Sequence, residues 1–101
     1  MLDFKNIIGF EWDAGNGSKI FVRHEVSQFE TEQVFFNKPL LLLFDEKHSL
    51  TEERYHALGR TNQDRYLHIT FTFRKHKTLL RVISARPMSR KERSLYEKEE
   101  T

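Results

Sequence analysis

The stretch TFTFRKHKTLLRVISARPMSRKERSLYE, residues 70–97, contains two strands, the turn between them and a capped helix. From Tyr66 to Arg74 apolar and polar residues alternate. Leu67, Ile69, Phe71 and Phe73 point one way, while Tyr66, His68, Thr70, Thr72 and Arg74 point the other. Period-2 alternation marks a strand with one buried and one polar face. The next strand, 78–86, is apolar on both faces (Leu80 and Val82; Leu79 and Ile83), so it reads as central and parity does not assign its polar side. Pro87 ends it. Ser89 with Glu92 three residues later is a capping box that opens a basic helix.

Working outward, the strand predicted at 53–60 places Arg54, His56, Leu58 and Arg60 on one face and Tyr55, Ala57 and Gly59 on the other. Directly opposed residues share a face. An odd connecting loop puts Arg54, His56 and Arg60 beside His68, Thr72 and Arg74. An even one buries Arg54 over the apolar core, which is costly, so the odd loop is expected. Upstream, 7–12 reads as a short strand ended by Asp13 and the turn-prone Ala14-Gly15-Asn16-Gly17. A short helix is expected over 18–24. Ser27 and Glu30 form a second capping box, opening a helix that must stop before Pro39. Leu40–Phe44 is an apolar strand and 45–51 a polar loop. The expected order is β-αα-ββββ-α, an α+β domain with helices packed on a sheet.

One hundred and one residues suit one domain spanning 1–101, and zero Cys excludes disulfides and thiol chemistry. No apolar run approaches the roughly 20 residues of a membrane span, and the N-terminus has no signal-peptide pattern. Cytoplasm is the expected compartment, with no membrane partner. The net charge of +2 hides an asymmetry. Residues 1–52 carry five Lys/Arg against nine Asp/Glu, and 53–101 carry twelve against six. A cluster of basic charge is the footprint of a polyanion partner, although a solvated helix face shows the same composition. The five His have no H-x-H or H-E-x-x-H spacing, so neither a metal nor another cofactor is expected. Asn16-Gly17-Ser18-Lys19 lacks the glycine spacing of a phosphate loop and reads as a turn. Ser84 lacks a nucleophile elbow and reads as a packed strand residue.

Residues 70–97, with Phe10-Glu11-Trp12-Asp13, Arg23-His24 and the HSLTEERYHALGRT stretch at 48–61, resemble the BrnT toxin family over about Phe10 to Glu97. The resemblance implies a RelE-like fold, with an antiparallel-rich sheet, two N-terminal helices and one C-terminal helix. It also implies a bacterial endoribonuclease toxin that cleaves mRNA and inhibits translation. A BrnA-like antitoxin would neutralise it, and operator DNA would be reached only through that antitoxin. One departure is visible: Glu25 stands where family members usually carry Gly, and a carboxylate there would favour a charged His24.

Metal-free RNA cleavage needs a base for the 2′-hydroxyl proton, a cation for the phosphorane and an acid for the leaving 5′-oxygen. Arginine suits the second task because its planar fork grips phosphate. Arg54, Arg74 and Arg86 are the candidate cations. His24 and Glu53 are the candidate proton-transfer groups, with His56, His68 and Glu52 behind them. Arg81, Arg90, Arg93 and Tyr96 are candidate RNA-binding residues, Tyr96 as a stacking surface. Each also has a plainer role: His24 ordering its helix, Glu52 pairing with Arg54, Arg86 bracing the last helix and Tyr96 packing beneath it. A catalytically inactive module binding RNA or antitoxin, and a protein binding RNA nonspecifically, are the alternatives.

Overall fold

The structure, a computed structural model, describes residues 4–101 apart from the side chains of Phe21 and Val22. In chain order the elements are β1 (Gly9–Glu11), α1 (Gly17–His24), α2 (Gln28–Val34), β2 (Leu41–Phe44), β3 (Tyr55–Arg60), β4 (Tyr66–Arg74), β5 (Leu79–Pro87) and α3 (Arg90–Glu99). This is the α+β order β-αα-ββββ-α read from the sequence. The five strands form one sheet in the order β1-β5-β4-β3-β2. Among the described residues only the β1–β5 pair is parallel.

Residues 61–65, an odd loop, join β3 to β4, and His56 faces Thr70 while Arg60 faces Tyr66. Arg54, His56 and Arg60 therefore share the parity of His68, Thr72 and Arg74, as the cost of burying Arg54 demanded. In β5 the register slips: Thr70 pairs with Ser84, yet Phe71 pairs with Val82. Ile83 is thus the extra residue of a β-bulge. Leu80 and Val82 face the core before the bulge and Ala85 faces it afterwards, which is why parity alone could not read this strand.

The apolar face of the sheet (Ala57, Leu67, Ile69, Phe71, Leu80, Val82, Ala85) packs against Ile20 of α1, Val34 of α2 and Val26 between them. Gly59 lets α2 come close, since a Cβ there would lie 2.6 Å from Val34 Cγ1 and 3.3 Å from the Val34 carbonyl oxygen. Both capping boxes are formed, with Ser27 and Ser89 as the N-caps of α2 and α3. The Asn16 turn is structural. Its amide donates to the carbonyls of Glu11 and Val82, both at 3.0 Å, tying the start of α1 to β1 and β5.

Helix α3 lies across the opposite, polar face at the Tyr66 end of β4. Leu95 remains 48% exposed, so Tyr96 is its one buried anchor. The Tyr96 ring meets Tyr66 edge-on at 5.2 Å and its hydroxyl donates to the Pro39 carbonyl at 2.6 Å. Among the described residues no helix is long and apolar enough to cross a membrane.

Candidate active site on the polar face of the sheet

Because side chains alternate along a strand, the face left open by α1 and α2 collects the polar set in rows. Arg86, His68 and Leu58 form one row across β5, β4 and β3. Ser84, Thr70 and His56 form the next, and Arg81 with Thr72 the third. Arg74 closes β4 beyond them. Helix α3 flanks one end of this face and the β2–β3 loop, 45–54, flanks the other.

Arg86 is held by Glu92 in a fork, with Nη1–Oε1 at 2.8 Å and Nη2–Oε2 at 2.9 Å. Glu92 also accepts from the Ser89 amide at 2.9 Å, so one carboxylate caps α3 and docks it on β5. The Arg86 guanidinium, above all, pulls the Glu92 carboxyl down to about 2. His68 lies beside this pair, its Nε2 3.8 Å from Glu92. Burial first, and then the Arg86 charge, push its imidazole down to about 4, so it is neutral at neutral pH. Its Nδ1 is buried and has no hydrogen-bond partner among the described residues. Such an atom costs about 1–3 kcal/mol, a penalty usually explained by function or an ordered water.

The rings of His68 and His56 lie 4.8 Å apart. His56 Nδ1 is 3.0 Å from Thr70 Oγ1, and its Nε2 is 3.0 Å from Asp45 Oδ2. Asp45 is braced in turn by the His48 amide at 3.1 Å and the His48 ring at 3.0 Å. At the far end of the face Arg74 pairs with Glu52 and lies 3.9 Å from Glu11. Arg81 pairs with Glu11 at 2.8 Å and Asp13 at 3.0 Å. Thr72 donates to the Glu53 carbonyl at 2.6 Å, pinning the loop to β4.

The candidate residues therefore divide. Arg74 and Arg86 share one face but stand six β4 positions apart, about 20 Å. Arg54 just precedes β3 with matching parity, and its side chain forms no hydrogen bond or ion pair with the described residues. His24 belongs to the other side of the sheet, because α1 packs on the apolar face; its carbonyl accepts from Arg65 Nη2 at 3.3 Å. Glu53 is exposed and receives the Tyr55 hydroxyl, turned away from the polar rows. Neither side chain is hydrogen-bonded to Arg54, Arg74 or Arg86 among the described residues, although Glu53 lines a shallow cleft with Thr72 and Arg74. Tyr96 is corrected as a stacking platform, since a fully buried ring presents no face to a base. Arg90 and Arg93 are exposed on α3, with Arg93 4.8 Å over the Tyr66 ring and 3.5 Å from Glu97.

Sequence reasoning weighed His56 and His68 but left Asp45 and Glu92 out of the site. Glu92 had a signal, being the acid of the capping box six residues after Arg86. Asp45 had none, because its partner lies eleven residues away across a loop.

The family model for the ribonuclease toxin, BrnT, of type II toxin–antitoxin systems matches residues 12–92, most of the chain. A search of curated proteins gave no significant match.

Proposed function

The chain belongs to the BrnT family of ribonuclease toxins of type II toxin–antitoxin systems, and from this membership we propose a metal-independent endoribonuclease that cleaves mRNA and arrests translation. A BrnA-like antitoxin neutralises it, and the complex meets operator DNA only through that antitoxin. The cytoplasm, where mRNA is, is its place of action. The observation that carries this reading is the meeting of arginine and imidazole on one face of the sheet: Arg86, His68, His56 and Thr70 occupy adjacent rows. Arg86 is the principal cation for the phosphorane, because its fork already engages two carboxylate oxygens, which have the spacing of two phosphate oxygens. Arg74 and Arg54 serve the same polyanion further along the face, and Arg81, Arg90 and Arg93 hold the flanking RNA.

A second reading has its own support. Glu92, Glu52, Glu11 and Asp13 already pair with Arg86, Arg74 and Arg81, as suits an inactive module that only binds RNA or antitoxin. Cleavage of RNA by the purified protein in EDTA decides between them. The wild type should cut, and Arg86→Ala, Arg74→Ala or Arg54→Ala should each lose on the order of 10²-fold in rate. Arg86→Lys should rescue poorly, since a point charge does not replace a bidentate fork. Thermal melts must accompany the rates, because Arg86 also holds α3. Cleavage that requires an added divalent ion, or three folded alanine variants that cut like the wild type, would remove the arginine-based mechanism.

A further inference from the structure

We propose that Asp45, His56 and Thr70 form the proton-accepting arm of the site, with Thr70 Oγ1 as the atom that meets the RNA 2′-hydroxyl. This deepens the ribonuclease reading and rests on it. The three residues come from the β2–β3 loop, β3 and β4, and they line up as carboxylate, imidazole and hydroxyl. The spacings are 3.0 Å from Asp45 Oδ2 to His56 Nε2 and 3.0 Å from His56 Nδ1 to Thr70 Oγ1.

The direction of the chain follows from donor and acceptor chemistry. An ionised carboxylate only accepts, so the proton of the neutral imidazole sits on Nε2, leaving Nδ1 to accept from the Thr70 hydroxyl. Desolvation opposes the Asp45 charge, but hydrogen bonds from the His48 backbone and ring outweigh it and keep this carboxyl below its usual range. The carboxylate is also fixed in place. The Asp45 amide donates to the Arg54 carbonyl at 2.9 Å, and Ser49 bridges the same turn by receiving the Arg54 amide at 2.9 Å.

The neighbours fit the role. His68, in ring contact with His56, is neutral at neutral pH, so it places no positive charge against a proton arriving on His56. Arg86 pairs with His68 and Ser84 with Thr70, which makes Arg86 the diagonal neighbour of Thr70, about 7–8 Å away. A phosphodiester between them would reach the guanidinium with its oxygens and Thr70 with its 2′-hydroxyl. In the step, the 2′-O–H bond breaks toward Thr70 Oγ1 while the Thr70 proton passes to His56 Nδ1. The 2′-oxygen bonds to phosphorus and the P–O5′ bond breaks. The departing 5′-oxygen takes a proton from water, and the hydroxide left behind is neutralised by the His56 proton returned through Thr70.

The same three residues could instead be a latch that only fastens the loop to the sheet, and Thr70→Val separates the two roles. Single-turnover RNA cleavage and RNA binding are measured for wild type, Thr70→Val, Thr70→Ser and Asp45→Asn, with thermal melts and nitrogen-correlated imidazole spectra. Thr70→Val should lose on the order of 10²-fold or more in cleavage at saturating RNA with binding unchanged, and Thr70→Ser should recover most of the rate. The His56 spectrum should show the Nε2–H tautomer in wild type and in Thr70→Val, and lose it in Asp45→Asn. If Thr70→Val fails to fold, Thr70→Ala carries the same comparison. A folded Thr70→Val that cleaves like the wild type, or an Nδ1–H tautomer of His56, overturns the relay while leaving the ribonuclease reading intact. A wild type that binds RNA without cutting it removes the ribonuclease reading and reduces the chain to a latch.

Discussion

His68 shows how one residue ties stability to the site. Its imidazole titrates at about 4 instead of 6.5 because burial penalises the charged form. As pH falls below 6.5 the unfolded chain binds the proton first, so the equilibrium is drawn toward unfolding until about pH 4. The full shift corresponds to about 3 kcal/mol. Glu92, held down to about 2, contributes stability that is lost only below its ordinary 4.5, so the two windows barely overlap. Urea unfolding at pH 7.5 and 4.5 should show wild type losing on the order of 2 kcal/mol more than His68→Gln. Equal losses in both proteins would mean that His68 is hydrated and not buried in the folded state. His68 was legible as a polar strand residue. Its burial beside His56 was not, since ring contact depends on strand register and on the covering helix.

At the scale of elements, the end of α1 gives the clearest departure from expectation. Glu25, which follows His24, has φ 55°, the left-handed region that favours glycine. A Gly here, the residue that the family resemblance led one to expect, would serve helix termination. Glu25→Gly should stabilise the protein by about 1 kcal/mol, raising Tm by about 4–8 °C. A thermal melt with no rise would show that the Arg65 contact to the Glu25 carbonyl, 2.7 Å, already offsets the strain. The two capping boxes were readable because Ser and Glu three positions apart satisfy the same orphan amides in any fold. The bulge at Ile83 was not readable. Its cause lies in matching β5 to β4, and either parity of an apolar strand looks alike in sequence.

Across the whole molecule, the basic second half of the chain supplies β3, β4, β5 and α3, which border the polar face, while the acidic first half supplies Glu11 and Asp13 to Arg81, Glu52 to Arg74 and Asp45 to His56. Affinity for a noncleavable RNA should fall linearly on a log–log salt plot, through release of condensed counterions. Reversing Arg90 and Arg93 to Glu should lower the magnitude of that slope by about 1–2 and leave the fold intact, because both side chains are exposed. An unchanged affinity in the folded variant would make α3 a solvated face. The order of elements, both helix caps, the odd-loop register and the single polar side of the sheet were determined by the sequence itself, since each follows from local periodicity or from the cost of burying an arginine. Only the tertiary structure decided that His24 stands apart from the arginines, that Tyr96 is an anchor, and that Asp45 and Glu92 close on His56 and Arg86. Those contacts join segments that strand pairing and helix docking bring together in space, and residue spacing along the chain carries no record of them.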